Sequence, residues 1–182
     1  GTPDFAVPSL QALVDAGAEV VGVVSQPDRP KGRGKRLART PVAALADQLG
    51  LTVHQWPRLN NDSYAALSAL KPDLAVVIAY GKILPRRYLA LPRWGCVNLH
   101  ASLLPAYRGA APIQWSVIHG EREAGVSVMR LDEGMDTGPV ALTRSLEVGA
   151  QETSGELHDR LSTLAASALS EALTAWRAAP LS

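Results

Sequence analysis

Cysteine is nearly absent from this sequence: Cys96 is the only one among 182 residues. A lone thiol excludes an internal disulfide framework and suits a reducing compartment. No apolar run approaches the roughly 20 residues that span a bilayer, and the opening residues do not read as a signal peptide. Net charge is almost absent too, at +1. There is no internal repeat and no low-complexity stretch. The sequence has no Gly-x-Gly-x-x-Gly, no Walker-type Gly-Lys-Ser/Thr and no Gly-x-Ser-x-Gly, so the usual phosphate cradles and the serine-hydrolase elbow are missing. His54, His119 and His158 are scattered, and with Cys96 they show no metal-ligand spacing, so no metal is expected. Cys96 sits in an apolar run and reads as core rather than nucleophile.

What is present is a hydrophobic fraction of 47% with charged residues at 19%. That balance, over this length, describes one compact domain with enough chain to bury a core, expected to be soluble and cytosolic. The pattern along the chain predicts helices over 3–17, 41–49, 63–70, 112–119 and from about 153 to 178. The last of these is announced by Thr153-Ser154 ahead of Glu156, a capping signature. Short β-branched runs at 19–25, 52–56, 73–80 and 95–99 read as buried strands. Residues 125–131 and 139–146 alternate as strands with one wetter face do. Strands alternating with helices argue for an α/β fold with a mainly parallel sheet. Gly1-Thr2-Pro3-Asp4 reads as the turn after a strand, so a first strand is expected ahead of the chain.

Two strand ends carry polar residues that a core does not need. Asn98 and His100 stand two apart on an extended segment, so their side chains point to one side. An amide donor beside an imidazole suits a carbonyl oxygen that gains negative charge. The same pair could equally be a loop histidine with a turn-forming asparagine. Asp136 lies in Gly134-Met135-Asp136-Thr137-Gly138, where glycines permit close approach and the carboxylate could orient His100 or move a proton. An ordinary solvated turn is the alternative, and Asp132 and Glu133 are the more exposed-looking acids beside it. Between these ends, residues 102–113 form a proline- and glycine-containing segment suited to a rigid ligand-contacting loop or a plain connection. Residues 28–39 hold Arg29, Lys31, Arg33, Lys35, Arg36 and Arg39 against Asp28 alone. That concentration leaves the rest of the chain net acidic and suits a phosphate backbone, or simply a solvated loop.

Taken together, these motifs resemble the catalytic domain of the folate-dependent formyltransferase family. The residues that carry the resemblance are Gly1-Thr2-Pro3-Asp4-Phe5-Ala6, Gln26-Pro27-Asp28-Arg29-Pro30 with Gly32-Arg33-Gly34-Lys35, and Asn98-Leu99-His100-Ala101-Ser102-Leu103-Leu104-Pro105. Arg108-Gly109-Ala110-Ala111-Pro112-Ile113 and Met135-Asp136-Thr137-Gly138 complete them, in family order. The resemblance implies a Rossmann-like sheet flanked by helices, with the family's first strand missing before Gly1 and its C-terminal β-barrel absent after Ser182, so that 1–182 is one catalytic domain. It implies Asn98, His100 and Asp136 as catalytic trio, Ser102, Leu103, Leu104 and Pro105 as the folate loop, and 10-formyltetrahydrofolate as formyl donor. It also implies that Arg29, Lys31, Arg33, Lys35 and Arg36 contact an initiator tRNA bearing methionine, as in the tRNA-formylating members, and that the enzyme acts as a cytoplasmic monomer. Formyl transfer to a nucleotide-linked amino sugar, or a non-catalytic folate- or RNA-binding module, are the competing expectations.

Overall fold

The computed structural model describes residues 1–31 and 36–178. After a 3-10 turn at Asp4–Ala6 come α1 (Val7–Asp15), β1 (Val23–Val24), β2 (Arg29–Lys31), β3 (Arg36–Ala38), α2 (Pro41–Gln48), β4 (Val53–His54) and α3 (Asn61–Ala69). The second half holds β5 (Ala75–Val77), α4 (Arg86–Leu89), β6 (Cys96–His100), α5 (Pro112–Ile118), β7 (Glu123–Arg130), β8 (Val140–Glu147) and α6 (Ser154–Ala178).

β1 pairs with β4, and β5 with β6, both parallel and each flanked by helices, in keeping with the α/β reading. β6, β7 and β8 then pair antiparallel. β8 has the expected wetter face, whereas β7 is buried on both faces from Ala124 to Met129 because α6 covers one and the loop after β6 the other. Residues 28–39, read as a breaker-rich loop, instead contain the antiparallel pair β2–β3, with Arg29 opposite Ala38 and Lys31 opposite Arg36. α4 is likewise unannounced in the sequence, being four residues entered through Pro85. β1 and β4 are shorter than expected because each has a single hydrogen-bonded neighbour. A largely apolar cavity of about 630 Å³ runs between residues of β1 and β5 and is bounded by Gly1, Leu70, Tyr80 and Trp176.

β7 organises the domain through its two faces. Ala124, Val126 and Val128 join the core under α6, whose Leu157, Leu161, Ala165, Ala168 and Leu169 are fully buried. Those α6 positions follow the i, i+4, i+8 spacing of a helix burying one stripe. Thr153 caps this helix as its sequence predicts, accepting from the Glu156 amide at 3.3 Å while the Glu156 carboxylate accepts from the Thr153 amide at 2.9 Å. The other face of β7, with Gly125, Ser127 and Met129, turns toward the loop that follows β6.

Cys96, the first residue of β6, is 2% exposed, and burial pushes its thiol up to about 11. The thiolate is the nucleophile, and at pH 8 only about one molecule in a thousand carries it, which slows alkylation of the folded protein. Iodoacetamide should therefore leave the folded protein essentially unlabelled at pH 8 and label it once unfolded in denaturant; rapid labelling of the folded form would refute this burial. The linked stability effect has a definite sign. Native Cys96 keeps its proton where the unfolded thiol (ordinary value 9.0) releases it, so its contribution is full below about pH 9 and is lost as pH rises toward 11. Denaturant titrations of the parent and Cys96→Ala should show a flatter alkaline decline in the variant.

Candidate active site

β6 delivers Asn98 and His100 to one place. Asn98 is half-buried, and the His100 side chain is only 8% exposed. Both face Asp136, which the loop between β7 and β8 supplies. Asp136 has a φ of +52°, a left-handed conformation that aspartate tolerates better than most residues. The loop is folded by its own neighbours: the Asp132 carboxylate accepts from the Gly134 amide at 2.9 Å and from the Thr137 hydroxyl at 2.8 Å. At Gly138 a Cβ would stand 1.9 Å from the Arg130 carbonyl oxygen, so only glycine closes this turn. The three acids of the loop thus part company. Asp132 shapes the turn, Glu133 reaches outward to exposed Arg86 at 3.2 Å, and Asp136 is turned inward at 14% side-chain exposure.

One Asp136 oxygen accepts a hydrogen bond from the Gly109 amide at 2.8 Å and lies 3.5 Å from His100 Nδ1. Its other oxygen lies 3.5 Å from Asn98 Nδ2. The carboxylate is therefore held by one short bond to the backbone and by two long contacts to the other members of the trio. Such loose spacing is ordinary for catalytic groups before a substrate draws them in. A buried carboxylate needs donors around it, and the Gly109 N–H with the Asn98 amide meets that need here. Chemically, the cluster offers an amide donor, an imidazole and a carboxylate around one point at the end of a strand. That set can steady an oxyanion and accept a proton, and it includes no nucleophile.

The loop after β6 lies on the second face of β7. The Ser127 hydroxyl accepts from the Leu104 amide at 3.1 Å and donates to the Ser102 carbonyl at 2.7 Å. Gly125 leaves space for Leu103, whose Cδ2 stands 2.5 Å from where a Cβ would be. The Ser102 hydroxyl is turned inward and donates to the Ala106 carbonyl at 2.6 Å, while Pro105 is exposed and Leu103 and Leu104 are half-buried. Of the four predicted loop residues, then, Ser102 is a fastening, Leu103 fills the space over Gly125, Leu104 is half-buried and Pro105 is exposed. His100 Nε2 lies 2.7 Å from the Tyr107 carbonyl oxygen of the same loop.

Among the predicted basic residues, Arg29 is exposed on β2. Lys31 and Arg36 face each other across the β2–β3 pair as backbone partners, and Arg33 and Lys35 lie outside the described residues. Arg39 is committed within the fold. Its guanidinium donates to both oxygens of Asp47, at 2.7 and 2.9 Å, and to Gln55, and lies 3.6 Å from Asp28. Gln55 in turn donates to Asp28 at 2.7 Å, so the base of the hairpin is tied to α2 and to the residues after β4. Among the described residues no group of three or more His, Cys, Asp or Glu could hold a metal ion, and no helix is long and apolar enough to cross a membrane.

Sequence reasoning missed Gly109, Tyr107 and Ser127 as parts of this site. Gly109 carried a signal, being a glycine in a stiff segment where backbone must approach another loop. A backbone carbonyl such as that of Tyr107 leaves no trace in residue identity. Ser127, set among Val126 and Val128, reads as any small strand residue.

Comparison with known proteins places this geometry. The family model described as formyl transferase matches residues 1–173. A methionyl-tRNA formyltransferase of Halorhodospira halophila is 54% identical over 169 residues, covering 93% of this chain and 54% of the relative. One of Geobacter metallireducens is 49% identical over 174 residues, covering 95% of this chain and 56% of the relative. The chain thus spans about half the length of these relatives. Among solved structures, the phosphoribosylglycinamide formyltransferase of Brucella melitensis superposes with a TM-score of 0.78 at 24% identity, over 100% of this chain and 95% of that one. At that identity the likeness speaks for the fold.

Ser127 is fully buried, so its hydroxyl has no water to fall back on. Ser127→Ala leaves the Leu104 amide and the Ser102 carbonyl without this partner and should cost about 1–3 kcal/mol. Urea unfolding followed by circular dichroism measures this; a loss under about 0.5 kcal/mol would mean the loop is held by other contacts.

Proposed function

We propose that this chain, which belongs to the formyl transferase family, carries the catalytic machinery for moving the formyl group of 10-formyltetrahydrofolate to the amino group of methionine on initiator tRNA. The observation that carries the reading is the convergence of Asn98, His100 and Asp136 at the end of β6, beside a fastened loop with an apolar exposed edge. The similarity to methionyl-tRNA formyltransferases over 93–95% of the chain favours tRNA as acceptor.

The residues present suit the donor. Leu103, Leu104 and Pro105 offer apolar surface, and the trio beside them offers polar groups for a formyl carbon. When bound, the folate supplies that electrophilic carbon. Asn98 Nδ2 then donates to the carbonyl oxygen as the amine attacks, and the imidazole of His100 stabilises the negative charge that develops there. Asp136 holds His100 in place and assists removal of the proton that the amine loses, directly or through a water. The new C–N bond replaces the bond from the formyl carbon to the folate nitrogen, which leaves carrying the proton that the amine gave up. No covalent enzyme intermediate is required.

The basic hairpin gives the acceptor its handle. Arg29 on β2, together with Lys31, Arg33, Lys35 and Arg36, would meet the tRNA phosphates, and Arg39 anchors the base of this segment instead of facing the ligand. The enzyme works in the cytoplasm as a monomer, and its chemistry uses no metal.

Formyl transfer from 10-formyltetrahydrofolate to methionyl initiator tRNA, assayed with the full-length protein, tests the reading. Asn98→Ala and Asp136→Ala should each reduce kcat at least a hundredfold, about 2.7 kcal/mol of lost transition-state stabilisation, with folding unchanged. Full transfer activity in both variants would remove the trio from catalysis, and a parent that binds folate or tRNA without transferring would leave a binding module as the better account. Arg29→Glu should weaken tRNA binding and spare folate binding; unchanged transfer would move the acceptor to a small amine, such as a nucleotide-linked amino sugar.

Salt separates the two ligands further. With about five phosphate contacts, tRNA affinity should fall about five-hundredfold between 50 and 200 mM salt, and Arg29→Ala should lower the slope by about one. Folate affinity should change little, and equal shallow responses for both ligands would remove the hairpin from tRNA binding.

A further inference from the structure

The proton positions around His100 are set by what its two nitrogens face. Nε2 lies 2.7 Å from the Tyr107 carbonyl oxygen, and a carbonyl can only accept. Nε2 must therefore carry a hydrogen. Nδ1 faces the Asp136 carboxylate oxygen at 3.5 Å. In the neutral ring, the nitrogen on the side of Asp136 is thus the bare one.

The Tyr107 carbonyl is itself held from both ends. Its residue has a φ of +54°, a left-handed conformation that a tyrosine adopts only where its surroundings impose it. On one side, the Ser102 hydroxyl takes the carbonyl of neighbouring Ala106, and the Ala106 amide donates to the Leu103 carbonyl at 3.1 Å. On the other, the Tyr107 phenol reaches the surface, donates to the Glu121 carboxylate and lies 2.9 Å from His119 Nδ1. The bond to Glu121 holds the phenol above its ordinary range, so the hydroxyl keeps its proton. With that proton committed to Glu121, the hydroxyl oxygen accepts from His119 Nδ1–H. The ring of His119 also packs at 5.6 Å from that of Tyr107 and 5.5 Å from that of Trp115.

We propose that Tyr107 is a positioning residue for the transfer reaction: its carbonyl fixes His100 as the Nε2–H tautomer, making Nδ1 the working nitrogen beside Asp136, and its phenol, tied to Glu121 and His119, keeps that carbonyl in place. Nδ1 is then the nitrogen that takes up a proton, and Asp136 stabilises the imidazolium so formed. The ring cannot turn over without breaking the bond to Tyr107. A surface triad of Tyr107, His119 and Glu121 thereby governs a proton at the centre of the site. This assignment of roles rests on the formyl-transfer reading, but the tautomer itself does not.

The decisive experiment is a long-range proton–nitrogen correlation spectrum of the full-length protein labelled with ring-15N histidine, with the ring neutral and the His100 signals assigned through His100→Gln. The Nε2–H pattern is expected; an Nδ1–H pattern, or an averaged one, overturns the proposal. Because this readout needs no substrate, an enzyme that shows the tautomer yet fails to formylate tRNA refutes the function and spares the geometry. Tyr107→Phe then tests the phenol. It should move the His100 pattern toward an average and lower kcat by about three- to tenfold, the scale of one hydrogen bond, with KM for the folate within about twofold. Glu121→Gln should do the same to a smaller extent. A Tyr107→Phe variant that melts earlier but keeps both the wild-type pattern and kcat shows the phenol to be structural only and overturns its role.

Discussion

The carboxylate of Asp136, nearly buried, requires partners that are all supplied by other segments. Gly109 gives its backbone N–H at 2.8 Å, and Asn98 and His100 stand at 3.5 Å. A charge withdrawn from water without such donors would be costly, so the loop after β6 and the loop after β7 must meet for either to be stable in this form. Gly138 meets one half of that demand, because no larger residue fits against the Arg130 carbonyl. Gly109, with its φ of +86°, meets the other by letting its amide point at the acid. The trio is thus less a set of three side chains than the contact between two loops.

That contact is possible because β7 serves two masters at period two. Val126 and Val128 are locked under the stripe of leucines and alanines on α6. Gly125 and Ser127, on the opposite side of the same strand, give Leu103 room and bridge residues 102 and 104. Rigidity flows from the hydrophobic core through the strand into the loop, which is where a site needs it. The cavity between β1 and β5 belongs to another part of the molecule: none of the trio lines it, and its walls are largely apolar.

Sequence patterning reached the parts of this arrangement that obey a period. Asn98 and His100 were legible because a strand sends alternate side chains to one face, and α6 because its cap and its stripe agree. Asp136 was legible through its glycines, although only the fold shows it turned inward while Asp132 and Glu133 are spent elsewhere. The β2–β3 hairpin was not legible: prolines and glycines argue for a loop, and what pairs Arg29 with Ala38 is long-range anchoring of its base by Asp47, Gln55 and Asp28. Tyr107 was hidden for a different reason. Its contribution is a carbonyl oxygen, which every residue has, in a backbone conformation that its neighbours enforce.

The hairpin's anchoring also changes how its charge should be counted. From sequence, Arg39 belongs with the other basic residues of 28–39 and appears available to a phosphate. In the fold its guanidinium is occupied by Asp47 and Gln55 with Asp28 nearby, and the bond to Asp47 raises its affinity for its proton while drawing the Asp47 carboxyl below its ordinary range. An arginine so engaged would have to give up a forked pair to grip a ligand, whereas Arg29 stands exposed on β2. The same run of positive charge therefore divides into an anchor and an arm. Under the proposed function, acceptor choice falls to the arm, while the trio, acting on the formyl carbon and the attacking amine, is indifferent to what the amine is attached to. On that reading chemistry and specificity sit on separate loops of one small domain, so that either would change by local substitution without disturbing the other.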